Sequence, residues 1–149
     1  MDINGAHILK KNGSSGLFNQ GTVNTIGGTS NLGGGSNGSG AIVNINPATT
    51  LTFSDDFANG GTVNNANINA ISGNRTLSGG GIYTLNGGSI AAANGNGDGL
   101  ISDNTINGNG NIGSATLPNF TNIGIVSPTQ TRPSPCSRPA AAPSSTAAT

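Results

Sequence analysis

Asp55-Asp56 is the sharpest piece of chemistry in the chain, two adjacent carboxylates in a sequence with only five acidic side chains. Hydrolysis of a glycosidic bond needs such a pair, one carboxyl to protonate the leaving oxygen and one to activate water. The surroundings argue against that use. No histidine or basic subsite motif lies nearby, and the only arginine in the same stretch of chain is Arg75. Neighbouring residues on a strand also point to opposite faces, so adjacency does not make the two carboxylates converge. A solvated loop is the favoured reading, with a carbohydrate-active hydrolase or lyase using Asp55 and Asp56 as its rival.

A second candidate is Asn94-Gly95-Asn96-Gly97-Asp98-Gly99-Leu100-Ile101, which imitates the start of a calcium loop. Oxygen donors stand at its first, third and fifth positions, and glycine at the sixth. Calcium also needs a bidentate carboxylate at the twelfth position. That position is Thr105, and the first is Asn rather than Asp, with Asp103 the one other acid nearby. A Gly/Asn corner is the expectation, and no metal or cofactor is assigned.

The remaining motifs are weaker. Gly33, Gly35 and Gly38 spell a dinucleotide fingerprint, but no helical pattern or acidic partner follows. His7 has no Ser, Cys or Asp partner in a triad spacing. Cys136 is the single cysteine, which excludes an intrachain disulfide and a cysteine-based metal site. Asn-x-Ser/Thr sequons begin at Asn12, Asn37, Asn74 and Asn119, and matter only on a glycosylating export route. Thr22, Thr52 and Thr62 do not repeat as a Thr-x-Thr ladder, so an ice-binding face is not expected.

Composition explains why chemistry is scarce. Charged residues are 7% of the chain, five basic against five acidic, and apolar residues are 32%. Ordinary globular domains carry about 25% charged and about 45–50% apolar residues. A basic nucleic-acid groove or polybasic membrane patch is therefore excluded, and a broad two-layer core is not available. Gly (26 residues) and Asn (23) fill the gap. No run of about 18 apolar residues exists to span a membrane, and no apolar h-region follows Met1–Gly5 to make a signal peptide.

Short β-branched bursts bounded by Gly, Asn or Ser carry the structure, among them 41–45, 51–53, 66–71 and 82–85. They read as strands, and glycine density argues against helix. The motif Asn59-Gly60-Gly61-Thr62-Val63 recurs at Asn19–Val23, Asn86–Ile90 and, more worn, Asn122–Val126, at spacings of 40, 27 and 36 residues. An aromatic precedes each copy (Phe18, Phe57, Tyr83, Phe120). A second alignment matches 71–82 to 101–112. Repeated strand-and-turn units read as a solenoid, in which stacked coils share a narrow Val/Ile/Leu core. Val23, Val63, Ile90 and Val126 are expected to stack on one face of it, and exposed end coils to promote self-association.

The succession Leu9–Gly13, Phe18–Val23, Leu32–Gly35, Gly40–Val43 and Ala48–Phe53 resembles the long repeats of bacterial surface proteins of the filamentous-haemagglutinin and autotransporter-passenger type. The likeness spans about Leu9 to Pro128. It implies a right-handed, single-stranded parallel β-helix in a fragment of a cell-surface or secreted adhesin-like protein. It also implies no catalysis, with cell-surface glycans or other copies of the chain as partners. The expected organisation is an N-terminal edge over 1–16, β-helix over 17–126 and a disordered Pro/Ala/Ser-rich tail over 127–149. Six of the seven prolines lie at or beyond Pro118, and glycine and asparagine vanish after Pro128. A reading-frame shift near Pro128 would produce that change, making a truncated, non-functional product the third reading.

Overall fold

The computed structural model describes residues 1–4, 7–9, 16–94, 97–113, 117 and 119–129. Among them there is no helix; every strand pairing is parallel, and the coils stack into a β-solenoid. The strands are β1 (Asp2–Asn4), β2 (His7–Leu9), β3 (Leu17–Asn19), β4 (Thr22–Leu32), β5 (Gly35–Asn37), β6 (Ile42–Ile45), β7 (Thr49–Phe53) and β8 (Phe57–Asn59). They continue with β9 (Thr62–Asn65), β10 (Ile68–Ile71), β11 (Asn74–Ser78), β12 (Ile82–Ala92), β13 (Gly99–Ser102), β14 (Thr105–Ile112), β15 (Asn119–Asn122) and β16 (Val126–Pro128).

Each coil has three sides. The first aligns β1, β4, β6, β9, β12, β14 and β16, the second β2, β4, β7, β10, β12 and the end of β14, and the third β3, β5, β8, β11, β13 and β15. The first two sides form one sheet because β4 and β12 run through the bend between them. That bend needs a left-handed backbone, which glycine adopts at little cost: Gly28 has φ 69° and Gly87 φ 83°.

The core is a set of columns rather than a layer. On the first side Val23, Val43, Val63, Tyr83, Ile106 and Val126 stand in register, each paired with the next. The first four fall at 20-residue intervals. On the second side Leu32, Phe53 and Ile71 stack, as do Leu51, Asn69 and Ile90. Phe53 and Phe57 close the corner between the second and third sides, with ring centroids 5.0 Å apart. One buried residue per two strand positions suffices here, which is how 32% apolar residues build a core.

The repeat alignment needs correction at its third copy. Ile90 faces the same core but from the second side, so the partner of Val63 in the next coil is Tyr83. Val126 does join the column, at its open end, and is 51% exposed. The coil between the first two copies enters at Gly40-Ala41-Ile42-Val43, which no Asn-x-Gly introduces. The alignment of 71–82 with 101–112 also fails, since Thr76 pairs with Ile101 and Ile82 with Thr105. β16 runs through Pro128, and the Thr129 N–H donates to Gly108 O at 2.9 Å. The rest of the expected tail, 130–149, lies outside the described residues, as do Asn12 and Cys136.

Candidate functional site

The carboxylates serve as clamps on the corners. Asp56 Oδ1 accepts the Thr76 N–H at 2.7 Å, and Asp55 Oδ1 accepts the N–H of Asp56 at 2.9 Å. The two are exposed and do not converge on a common point through these bonds; each binds backbone, one in the next coil and one in its own loop. Asp98, the acid of the calcium-like loop, is buried, and its two oxygens accept the N–H groups of Gly73 at 2.8 Å and Asn94 at 3.3 Å. Its lone pairs are thus directed at the chain, and among the described residues no three His, Cys, Asp or Glu side chains group as a metal site. Gly95 and Asn96 of that loop lie outside the described residues.

Asp103 clamps a different turn. Its carboxylate accepts N–H bonds from Gly80 at 2.9 Å and Gly79 at 3.2 Å, and one from the Asn104 side-chain amide at 2.9 Å. These donors, the Gly80 N–H first among them, favour the charged form and hold its carboxyl below the ordinary carboxylate range. Gly79 (φ 104°) and Gly80 (φ 64°) present their N–H groups together because both are left-handed.

Inside the third side the asparagines form a chain of amides. Asn19 donates to Asn37 Oδ1 at 2.8 Å, and Asn37 to Asn59 Oδ1 at 2.8 Å. The next coil carries the Gly79-Gly80-Gly81 run instead of an asparagine. Asn59 therefore reaches past it to Asn104 Oδ1 at 2.6 Å, while Asn104 donates to Leu77 O and Ser78 O. Asn37 is fully enclosed, so its sequon is not an accessible acceptor in the folded chain. A second ladder runs outside, from Asn64 to Asn44 to Asn24 to Asp2, with bonds of 2.9, 2.8 and 2.7 Å. Beside the core column, the Tyr83 hydroxyl accepts from Asn69 Nδ2 at 2.8 Å; complete burial pushes the phenol well above its ordinary range, against the opposing effect of Asn69 and Asn65.

One stretch of surface is different. A groove of about 390 Å³ lies on the third side, lined by Asp56, Asn74, Arg75, Thr76, Leu100, Ile101, Asn119 and Thr121, with Gly99 at its floor. Asn74 pairs with Gly99 and Gly99 with Asn119; Thr76 pairs with Ile101 and Ile101 with Thr121. Arg75 occupies the inward column that continues as Leu100 and Phe120. Among the described residues its one hydrogen bond runs from Nη1 to Asn74 O at 3.4 Å, and its Nε is buried with no acceptor.

Arg75 and Asp56 stand out in the sequence, but nothing in their spacing joins them to Asn119 and Ile101. The coil register would have done so, since it sets residues 74, 99 and 119 side by side. The sequons at Asn74 and Asn119 prove to be neighbours on this groove. The glycines of the Gly33-Gly38 motif instead bring backbone together, Gly35 (φ 122°) pairing with Leu17. Thr22 and Thr62 share an outer column but alternate there with Ile42 and Ile82, and Thr52 lies on another side. His7 lies in β2, paired with Ser30 of β4. No protein-family model, curated protein or solved structure matches the chain.

Proposed function

We propose that this chain is a non-catalytic structural segment of a bacterial cell-surface or secreted, adhesin-like β-helix protein. The observation that carries the reading is the use made of the interior. Val63 and its column fill the coil, and the Asn19–Asn37–Asn59–Asn104 amides tie one coil to the next. The described carboxylates other than Asp2 brace turns, which suits a scaffold better than acid–base work. Surface glycans are the proposed targets. Self-association is proposed at the open coil, where Ile123 (74% exposed), Ile125 (64%) and Val126 have no further described coil upon them.

The rival reading, a polysaccharide hydrolase or lyase, draws on the position of Asp56 in the groove. Incubating the full chain with neutral and acidic polysaccharides and assaying new reducing or unsaturated ends separates the two. The scaffold reading expects no product above the level of a heat-denatured control, together with retention of chain-coated beads on a glycan surface. Turnover that disappears in Asp55→Asn or Asp56→Asn would replace it with the enzyme. Sedimentation across a concentration series tests the ends: the reading expects a growing heavy fraction, and a concentration-independent monomer would remove self-association from it.

A further inference from the structure

We propose that the groove around Arg75 binds an acidic oligosaccharide, with the Arg75 guanidinium taking the carboxylate of a sugar acid. The inference deepens the scaffold reading by naming a ligand class and the residues that would hold it. A guanidinium has five donors in a planar fork that matches a carboxylate. Among the described residues Arg75 spends only one of them, at 3.4 Å, and its Nε is enclosed without an acceptor. The unmade bonds are costly where water cannot supply them. Asp56 lines the same groove, yet it accepts the Thr76 N–H and forms no ion pair with Arg75. An anion that draws the guanidinium outward lets Nε and an Nη donate together, the bidentate geometry that makes such pairs strong.

The rest of the lining selects for a sugar. The side chains of Asn74, Thr76, Asn119 and Thr121 offer amides and hydroxyls, and none of the four makes a hydrogen bond to another described residue. Ile101, 52% exposed, stands between Thr76 and Thr121 and offers an apolar patch to the C–H face of a ring. The Asn74 amide leans across Gly99, its Oδ1 2.7 Å from where a Cβ of residue 99 would stand, so a ring would rest on the Asn74 and Asn119 side chains rather than between them. A volume of about 390 Å³ is that of a small-ligand site. One cation among hydroxyls and amides fits one carboxylate on a polyol. It does not fit a phosphate polymer, which needs several cations, and no aromatic lines the groove to stack a base.

Nitrogen-15 NMR of the full chain reads the site directly, because arginine Nε–H signals are resolved from the backbone and only Arg75, Arg132 and Arg138 contribute. The probe is a hyaluronan tetrasaccharide, with neutral chitotetraose and free acetate as comparators. The proposal expects hyaluronan tetrasaccharide to shift the Arg75 Nε–H signal saturably, with a dissociation constant on the order of 1 mM or tighter, as small ligands in open grooves bind. Chitotetraose and acetate should bind at least tenfold more weakly, and Arg75→Gln should lose at least tenfold while keeping the wild-type backbone spectrum. No saturable shift, equal binding by Arg75→Gln, or equal binding of either comparator overturns the site. Absence of binding leaves the scaffold reading standing. Cleavage of the tetrasaccharide would leave the site standing and overturn the scaffold reading.

Discussion

The third side of the solenoid uses asparagine in two opposite ways. Toward its N-terminal end, Asn19, Asn37 and Asn59 point inward in successive coils, and each amide is spent on the next. Toward its C-terminal end, Asn74 and Asn119 stand on the outer surface with Gly99 between them, and neither side-chain amide has a partner among the described residues. Sheet, side and residue type are shared. What differs is access to water. An inward amide left unpaired would cost about 1–3 kcal/mol, and the ladder closes even across the Gly79–Gly81 gap; Asn122, beside Ser102 at the last coil, is the inward amide of this side left without a partner among the described residues. An outward amide is satisfied by solvent and stays available. The same sheet is therefore a fastening at one end and a receptive surface at the other.

The largest expected effect comes from Val63→Asp, which places a charge at a fully enclosed position of the column that serves both ends. An unpaired buried charge exceeds what a domain of this size can absorb, so circular dichroism should show no cooperative unfolding transition. Next is the direct contrast of the two asparagine classes. Asn59→Ala removes bonds to Asn37, Asn104 and Ile82 O inside the coil and should cost roughly 2–3 kcal/mol in urea unfolding. Asn74→Ala should change stability by no more than about 0.5 kcal/mol. Equal costs would dissolve the distinction between fastening and surface.

Two pH experiments sharpen it further. Tyr83 is the single tyrosine, so tyrosinate absorbance reports it alone. Its folded phenol titrates above the unfolded value near 10. Stability should thus be full below that pH and fall as pH climbs above it, with ionisation appearing together with unfolding. Ionisation near pH 10 in a chain that remains folded would mean the interior is open to water. The smallest effect belongs to Asp103 on the outer corner. Its folded carboxyl lies below the unfolded value, so its contribution is present above about pH 4 and lost as pH falls through the folded value. Asp103→Asn should flatten that part of the acid-unfolding profile and leave the profile near neutrality with the same shape.

Strand content was legible because β-branched residues alternate with Asn and Thr in short bursts, and a pleated half-buried surface selects that pattern. Register was less so. Matching on Asn-x-Gly assumed that asparagine marks the same place in every coil, yet Asn86 is an exposed residue at a bend and the ladder's fourth member is Asn104. The column of Val23, Val43, Val63 and Tyr83 was the truer signal, hidden by the change from valine to tyrosine. The clamps at Asp98 and Asp103 could not be read, because a carboxylate that binds backbone N–H looks the same in sequence as one that binds calcium. The groove stayed out of sight for a related reason: Arg75, Ile101 and Asn119 meet only once the coil lengths between them are known.

The regular interval of the first coils makes chain length behave as a quantised variable. Val23-Asn24, Val43-Asn44 and Val63-Asn64 enter successive turns at the same interval of 20 residues, with valine inward and asparagine on the outer ladder. Excising residues 24–43 would splice Val23 to Asn44, keep every later residue facing as before, and bring Asn19 to the place beside Asn59. Loss of ten residues, by contrast, would set the strands of one side against those of another and orphan the amides on both. A gene encoding such a protein can therefore lengthen or shorten by unequal recombination in whole turns, changing reach without redesigning the cross-section.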